Sequence, residues 1–158
     1  MDPKRELLRH TLATLAYRGA KAVRGAPDSF ASFQAVETTR TPIQILTHIG
    51  DLLDWALSMA MGAETWHNAK PQAWTEQIER FHISLTRFDD FLASEAELAC
   101  TCERLFQGAI ADSLTHVGQL TILRRMADVP IRGENYSVAQ IEAGRVGRDQ
   151  APANYEFD

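Results

Sequence analysis

Three features of the sequence predict an all-α fold. Four segments repeat apolar residues at steps of three and four, which is the period of one face of an α-helix. Glycine and proline separate these segments, as is typical of loops between helices. Runs of alternating apolar and polar residues bounded by turn signals are missing, so β-strands are not predicted. The chain of 158 residues has the size of one domain, and we expect a single domain over 1–158.

The four predicted helices are bounded by recognisable start and stop signals. Their approximate limits are residues 3–24, 42–61, 72–94 and 103–128. Thr41 and Pro42 form the N-cap and first-turn pair that often begins a helix. Gly62 ends the second helix, and Pro130 lies just beyond the fourth, where it prevents the helix from continuing.

The residues after the fourth helix form a C-terminal extension, 130–158. This extension has no apolar face large enough to build a core of its own. A helical pattern is visible only at 137–142. We therefore expect the extension to lie over the helices or over a partner subunit.

Composition and charge exclude several classes of protein. The net charge is −5, and basic residues do not cluster with aromatic residues on one face, so a nucleic-acid partner is not expected. No apolar run approaches the roughly 18 residues that a membrane span requires, and no signal-peptide core follows the charged N-terminus. Cys100 and Cys102 are too close for an ordinary disulfide, which indicates reduced thiols in a cytoplasmic protein.

The predicted helix at 42–61 carries a histidine on its apolar face. The inward stripe runs from Ile45 through His48 or Ile49 to Leu52. An imidazole at such a place needs either a hydrogen-bond partner or a metal ion.

The predicted helix at 103–128 has two polar residues on the line that should face the core. Asp112 and His116 interrupt the stripe that continues to Leu120. Residues four apart lie on one helical face with Cβ atoms about 5–6 Å apart, so their side chains can converge on one ion. Zinc proteases use the same spacing for two histidines.

Together, His48, Asp112 and His116 are the candidate ligands of a divalent metal. Two imidazoles and one carboxylate leave coordination positions open, which is typical of catalytic rather than structural metal sites. The alternative is a buried ion pair between Asp112 and His48, with the histidines held by hydrogen bonds. The same ligand set also occurs in non-haem iron oxygenases, which usually have β-folds.

Other conspicuous residues have ordinary structural interpretations. His10, His67 and His82 are predicted at the surface or at its boundary. Arg124 and Arg125 would stabilise the negative end of the helix dipole, with the binding of a substrate carboxylate as the alternative. Four large residues at helical spacing are predicted to be core rather than pocket: Trp55, Met59, Phe81 and Phe88.

Two segments of the chain resemble the DinB/YfiT-like family of bacterial metalloenzymes. They are ILTHIGDLLDWAL in the second helix and ADSLTHVGQLTILRRMADVPI in the fourth, and the resemblance covers essentially residues 1–131. In that family a histidine of the second helix joins two ligands four residues apart in the fourth, just before a Gly-Gln-hydrophobic step. His48 and His116 match these positions, and the step is Gly118-Gln119-Leu120. Asp112 stands where many members have histidine, so the ligand is kept but its charge differs.

The resemblance implies an up-down-down-up four-helix bundle, frequent homodimers and a bound divalent metal, most often zinc or nickel. Some relatives are transferases that use a low-molecular-weight thiol, and we expect such a thiol, activated at the metal, to be the small-molecule partner here. The alternatives are a non-catalytic or stress-associated metal-binding bundle and a metal-dependent hydrolase. For hydrolysis, Glu103 and Asp51 lie too far along their helices to serve as the general base.

Overall fold

Residues 2–157 are described by a computed structural model, and helices dominate them. The α-helices are α1 (Pro3–Val23), α2 (Pro42–Ala60), α3 (Trp74–Ala93), α4 (Cys102–Leu105) and α5 (Ala111–Met126), with a π-helical turn at Phe106–Ile110 between the last two. Short 3-10 turns occur at Asp28–Ser32 and Tyr136–Val138. The prediction of an all-α fold is confirmed. Met1 and Asp158, which the predicted domain includes, lie outside the described residues.

Local signals explain where the helices begin and end. The side chain of Asp2 accepts a hydrogen bond from the Lys4 amide at 3.1 Å, which satisfies one free N–H of α1. At the start of α2, the Thr41 amide donates to the side-chain oxygen of Gln44 at 2.9 Å, as in a capping box. Gly62 has a φ of 75° just past α2, a left-handed conformation that glycine adopts without a steric penalty.

The core lies between helices that are not all neighbours in sequence. Both α1 and α2 pack against α3 and α5. Gly19 of α1 allows the closest approach, because a Cβ added there would lie 2.5 Å from the ring of Phe81 on α3. Phe81, Phe88 and Met59 are buried, so their prediction as core residues is confirmed. Within residues 2–157, no helix is both long and apolar enough to cross a membrane.

The C-terminal extension lies over the helices of its own chain. Tyr17 on α1 donates a 2.6 Å hydrogen bond to Glu134, and Lys21 bridges Glu134 and Glu156 at 2.6 and 2.7 Å. Val146 is buried in the core beside α3.

Two details of the extension differ from the sequence prediction. The helical pattern at 137–142 yields only the 3-10 turn Tyr136–Val138, and residues 139–142 are not helical. An unpredicted two-residue ladder also forms between β1 (Gly133–Glu134) and β2 (Glu156–Phe157), which are antiparallel. The ladder ties the end of the extension to its beginning, and the ion pairs to Lys21 hold both strands against α1.

Candidate metal centre

His48 projects from the middle of α2 toward α5. Its side chain is 23% exposed, whereas the neighbouring Ile49 is completely buried. The sequence did not decide whether His48 or Ile49 faces the core. In the structure, Ile49 does. His48 therefore lies at the margin of the core, where solvent and small molecules can reach it.

One predicted ligand on α5 lies beside the buried face of the helix rather than on it. Ser113 is fully buried, while the side chain of Asp112 is 47% exposed. The prediction that Asp112 lies on the buried line is thus wrong by one residue, and its carboxylate instead lies at the edge of the helix pair.

The three predicted ligands come together despite this shift. Nε2 of His116 lies 3.5 Å from one carboxylate oxygen of Asp112, and Nε2 of His48 lies 3.9 Å from the other. The two imidazole rings are 4.8 Å apart at their centroids and nearly perpendicular. One donor atom from each residue lies within 4.8 Å of the other two, so the group could hold a metal ion.

Hydrogen bonding orients one of the two imidazoles. Nδ1 of His116 lies 2.8 Å from Oε1 of Gln119, one turn further along α5. A carbonyl oxygen only accepts, so Nδ1 donates and the lone pair of the neutral ring is on Nε2, the atom nearest Asp112. A partner of this kind is usual for histidines that bind metals.

The electrostatic surroundings keep the other imidazole ready to donate its lone pair. Burial lowers the pKa of His48, and the proximity of His116 and Arg40 lowers it further, against the opposing effects of Asp112 and Asp51. The neutral form of His48 therefore predominates at neutral pH. A neutral imidazole is the form that can ligate a metal.

An aromatic wall adjoins the three residues. The ring of Trp66 lies 5.7 Å from that of His48 and 5.8 Å from that of Trp55. Trp66 belongs to the connector between α2 and α3 and is 40% exposed. The prediction that Trp55 is core rather than pocket is only partly right, because Trp55 packs against the core but is half-buried and lines a cleft with Asp112. Trp66 was not predicted to be part of the site, although a tryptophan in an otherwise polar connector was a usable signal.

Two clefts adjoin the group. The tryptophan cleft, of about 430 Å³, is lined mainly by Leu52, Trp55, Gly108, Asp112 and Thr115. The arginine cleft, of about 360 Å³, is lined mainly by Arg40, Ile45, His116, Gln119 and Ile122. Each cleft contains one of the predicted ligands from α5, so a small molecule in either cleft can approach the site.

The remaining histidines do not join this group. His10 and His67 are exposed, as predicted. His82 is buried and donates from Nδ1 to the carbonyl of Val146 at 3.2 Å, so its prediction as a surface or boundary residue is wrong. The cause is the C-terminal extension, whose Val146 covers that side of α3.

Arg124 has a structural role that the sequence did not reveal. It is buried and donates to the carbonyls of Ala22 and Arg24 at the end of α1 and of Val129 beyond α5. Arg124 was predicted to stabilise its own helix dipole or to bind a substrate. In the structure its side chain instead joins the end of α1 to the segment after α5. Arg125 is exposed.

The two cysteines are free thiols, as predicted. Burial raises the pKa of both Cys100 and Cys102. Thiols with raised pKa values are poor nucleophiles at neutral pH, so the cysteines do not offer a second reactive centre.

Comparison of the chain with protein-family models, with curated proteins and with solved structures gives no match.

Proposed function

We propose that the chain is a divalent-metal-dependent enzyme of the DinB/YfiT-like type, with His48, Asp112 and His116 as ligands. The observation that carries the proposal is the convergence of three donor atoms from two helices within 4.8 Å. The donor set suits zinc or nickel, since imidazole is a good ligand for both and a single carboxylate adds one negative charge. The packing of α1 and α2 against α3 and α5 supports the four-helix bundle that the resemblance implies.

We propose a transferase that uses a low-molecular-weight thiol. A bound divalent ion with an open position would lower the pKa of a thiol that reaches it. The two clefts give such a thiol access to the site, and the ring of Trp66, which also contacts Trp55, lies against one side of His48. The thiolate would then displace a leaving group from an electrophilic carbon of the second substrate: the carbon–sulfur bond forms as the bond to the leaving group breaks, and the thiol proton passes to solvent.

Hydrolysis has weaker support, because the nearest additional carboxylate is already bonded. Asp51 on α2 accepts a 2.7 Å hydrogen bond from Arg80 and a 3.3 Å bond from the Ala69 amide. Glu103 is paired with Lys4 away from the site. A thiol whose pKa is lowered by a metal needs no separate general base, whereas water used as a nucleophile is helped by one.

Metal analysis of histidine variants tests the site. We expect untagged protein to contain close to one divalent ion per chain, and His48→Ala and His116→Ala each to lose it, since each removes one of three ligands. His10→Ala is the matched control, because His10 is exposed on α1. Elemental analysis that finds the same metal content in the parent and in both site variants would show that these histidines are not ligands.

We also propose that the protein is a homodimer, as the family resemblance implies. Two large apolar side chains, Leu7 at 65% and Phe106 at 46% exposure, line one apolar cleft. A partner subunit that covered them would remove this apolar surface from water. Light scattering at micromolar concentration tests the proposal. A mass near the 17.7 kDa of one chain would contradict it.

A further inference from the structure

One of the two clefts carries an exposed cation. Arg40 lines the arginine cleft together with His116, and its side chain is exposed. Within residues 2–157, no carboxylate lies within ion-pair distance of its guanidinium. Other arginines of the chain are paired: Arg80 bonds Asp51 and Asp54, and Arg104 bonds Glu64.

Arg40 shares its cleft with one of the candidate ligands. Both Arg40 and His116 line the arginine cleft. An anion bound beside His116 in this cleft is therefore attracted by the guanidinium of Arg40. The guanidinium of arginine suits this role, because it can donate two parallel hydrogen bonds to one carboxylate.

Hydrogen bonds hold the backbone that carries Arg40. The side-chain amide of Gln34 donates to the carbonyls of Glu37 and Thr39 at 3.0 and 2.8 Å, and the Thr39 hydroxyl donates to Val36 at 2.8 Å. Arg40 is followed directly by Thr41, the N-cap of α2. Its backbone is therefore fixed relative to His48, and a ligand needs to order only the side chain.

The charges of the site define the ligand. A divalent ion held by two neutral imidazoles and one carboxylate keeps one positive charge, and Arg40 adds a second. A thiolate alone would neutralise only the first. The same cleft is also lined by the apolar side chains of Ile45 and Ile122, which suits a ligand with a short hydrocarbon chain between two anionic groups.

We infer that Arg40 binds the carboxylate of a thiol ligand whose sulfur occupies the open metal position, so that the site selects small mercapto-carboxylic acids over neutral thiols. This inference rests on the proposed function and deepens it by naming the class of thiol. Arg40 is then a specificity-determining residue, and its substitution should change the choice of thiol without changing metal content.

Cobalt-loaded protein provides a binding test that does not depend on turnover. Thiolate binding to cobalt(II) gives a charge-transfer absorption band, which can be titrated with 3-mercaptopropionate and with the neutral 3-mercapto-1-propanol. We expect the parent protein to bind the carboxylate thiol roughly tenfold more tightly, the lower end of what a hydrogen bond to a charged group contributes. Arg40→Gln should remove this preference and leave the affinity for the neutral thiol unchanged. Arg87→Gln is the control, since Arg87 is 63% exposed on α3 and its substitution removes the same charge.

The possible outcomes separate the inference from the function on which it rests. If the parent does not bind cobalt, the proposed metal centre is wrong and the inference fails with it. If cobalt binds but neither thiol gives the band, the thiol-dependent function is wrong and the metal centre stands. If both thiols bind equally well to the parent and to Arg40→Gln, the role of Arg40 is overturned while the metal and thiol proposals stand.

Discussion

Nδ1 of His116 donates a 2.8 Å hydrogen bond to Oε1 of Gln119, one helical turn away. The bond fixes the ring so that Nε2 lies 3.5 Å from the Asp112 carboxylate. It gives a physical reason for the glutamine in the Gly118-Gln119-Leu120 step. Gln119 holds one tautomer of His116 and directs its lone pair toward the other two candidate ligands.

Gln119→Ala should weaken metal binding without abolishing it. Loss of the acceptor leaves the imidazole free to rotate and to exchange its proton between the two nitrogens. We expect a loss of about tenfold in affinity, at the low end of the effects of such supporting residues. Competition with a chromophoric chelator measures the change. Gln107→Ala is the control, because Gln107 lines the tryptophan cleft and lies near the site on the π-helical turn. Equal affinity in both variants and the parent would contradict the role of Gln119.

Much of the fold was predictable because helix periodicity and capping signals are local. Thr41-Pro42 and Gly62 bound α2 in the sequence as they do in the structure. The grouping of His48 with His116 also followed from local spacing plus the assumption that the two helices face each other. The helix boundaries and the pairing of Asp112 with His116 depend on residues within a few positions along the chain, whereas the addition of His48 depends on the packing of two helices.

The details that sequence missed depend on tertiary packing. On α5, Ser113 is buried where the predicted stripe has Asp112, and the Asp112 carboxylate lies at the cleft edge. The roles of His82 and Arg124 depend on segments distant in sequence, the C-terminal extension and the end of α1. Periodicity within a single helix contains no information about such partners.

Arg124→Met should destabilise the fold and leave the metal site intact. The substitution removes the donors to the carbonyls of Ala22, Arg24 and Val129, which the protein partly shields from water. Each unsatisfied buried carbonyl costs about 1–3 kcal/mol, and relief of the buried charge offsets part of the total, so we expect a loss of about 3 kcal/mol. Chemical denaturation measures it. Arg125→Met should change the free energy of unfolding by less than about 0.5 kcal/mol. A similar value for Arg124→Met would contradict its role.

His82 should make the fold sensitive to mild acid. Burial is the main cause that lowers the pKa of His82 in the folded protein below its ordinary value near 6.5. The unfolded chain then binds a proton at a higher pH than the folded chain does. The contribution of neutral His82 to the free energy of unfolding is fully present above the pKa that His82 has in the unfolded chain. It is lost as the pH falls through the pKa that His82 has in the folded protein.

The free energy of unfolding at pH 7.5 and at pH 5.5 tests this expectation. The parent should lose stability between the two values, and His82→Gln should lose less, because glutamine does not titrate. Carboxylates contribute equally to both proteins, so the difference between the two losses reports on His82. His10→Gln, at an exposed position, should behave as the parent does. An identical loss in the parent and in His82→Gln would show that His82 does not titrate differently on unfolding.

Asp112 should be a direct ligand of the metal. Two substitutions should distinguish the effect of its donor atom from the effect of its negative charge. Its carboxylate lies between the two imidazoles, 3.5 Å from Nε2 of His116 and 3.9 Å from Nε2 of His48. Asp112→Ala removes a donor atom, whereas Asp112→His replaces it with the donor found at this position in many members of the family it resembles. The side chain is 47% exposed, so neither change should disturb the core.

Asp112→Ala should lower metal affinity by at least the 10–100-fold that changes beyond the ligands typically cost, and Asp112→His should lower it less. The carboxylate cancels one charge of the ion, so Asp112→His should leave the ion more positive and a bound thiol more acidic. In cobalt-loaded protein, the thiolate band of Asp112→His should therefore form at a lower pH than in the parent. Competition titrations give the affinities, and absorption spectra across a pH series give the acidity. If Asp112→Ala binds metal as tightly as the parent, the carboxylate is not a ligand and the centre reduces to two histidines, which hold a divalent ion less firmly than three donors do.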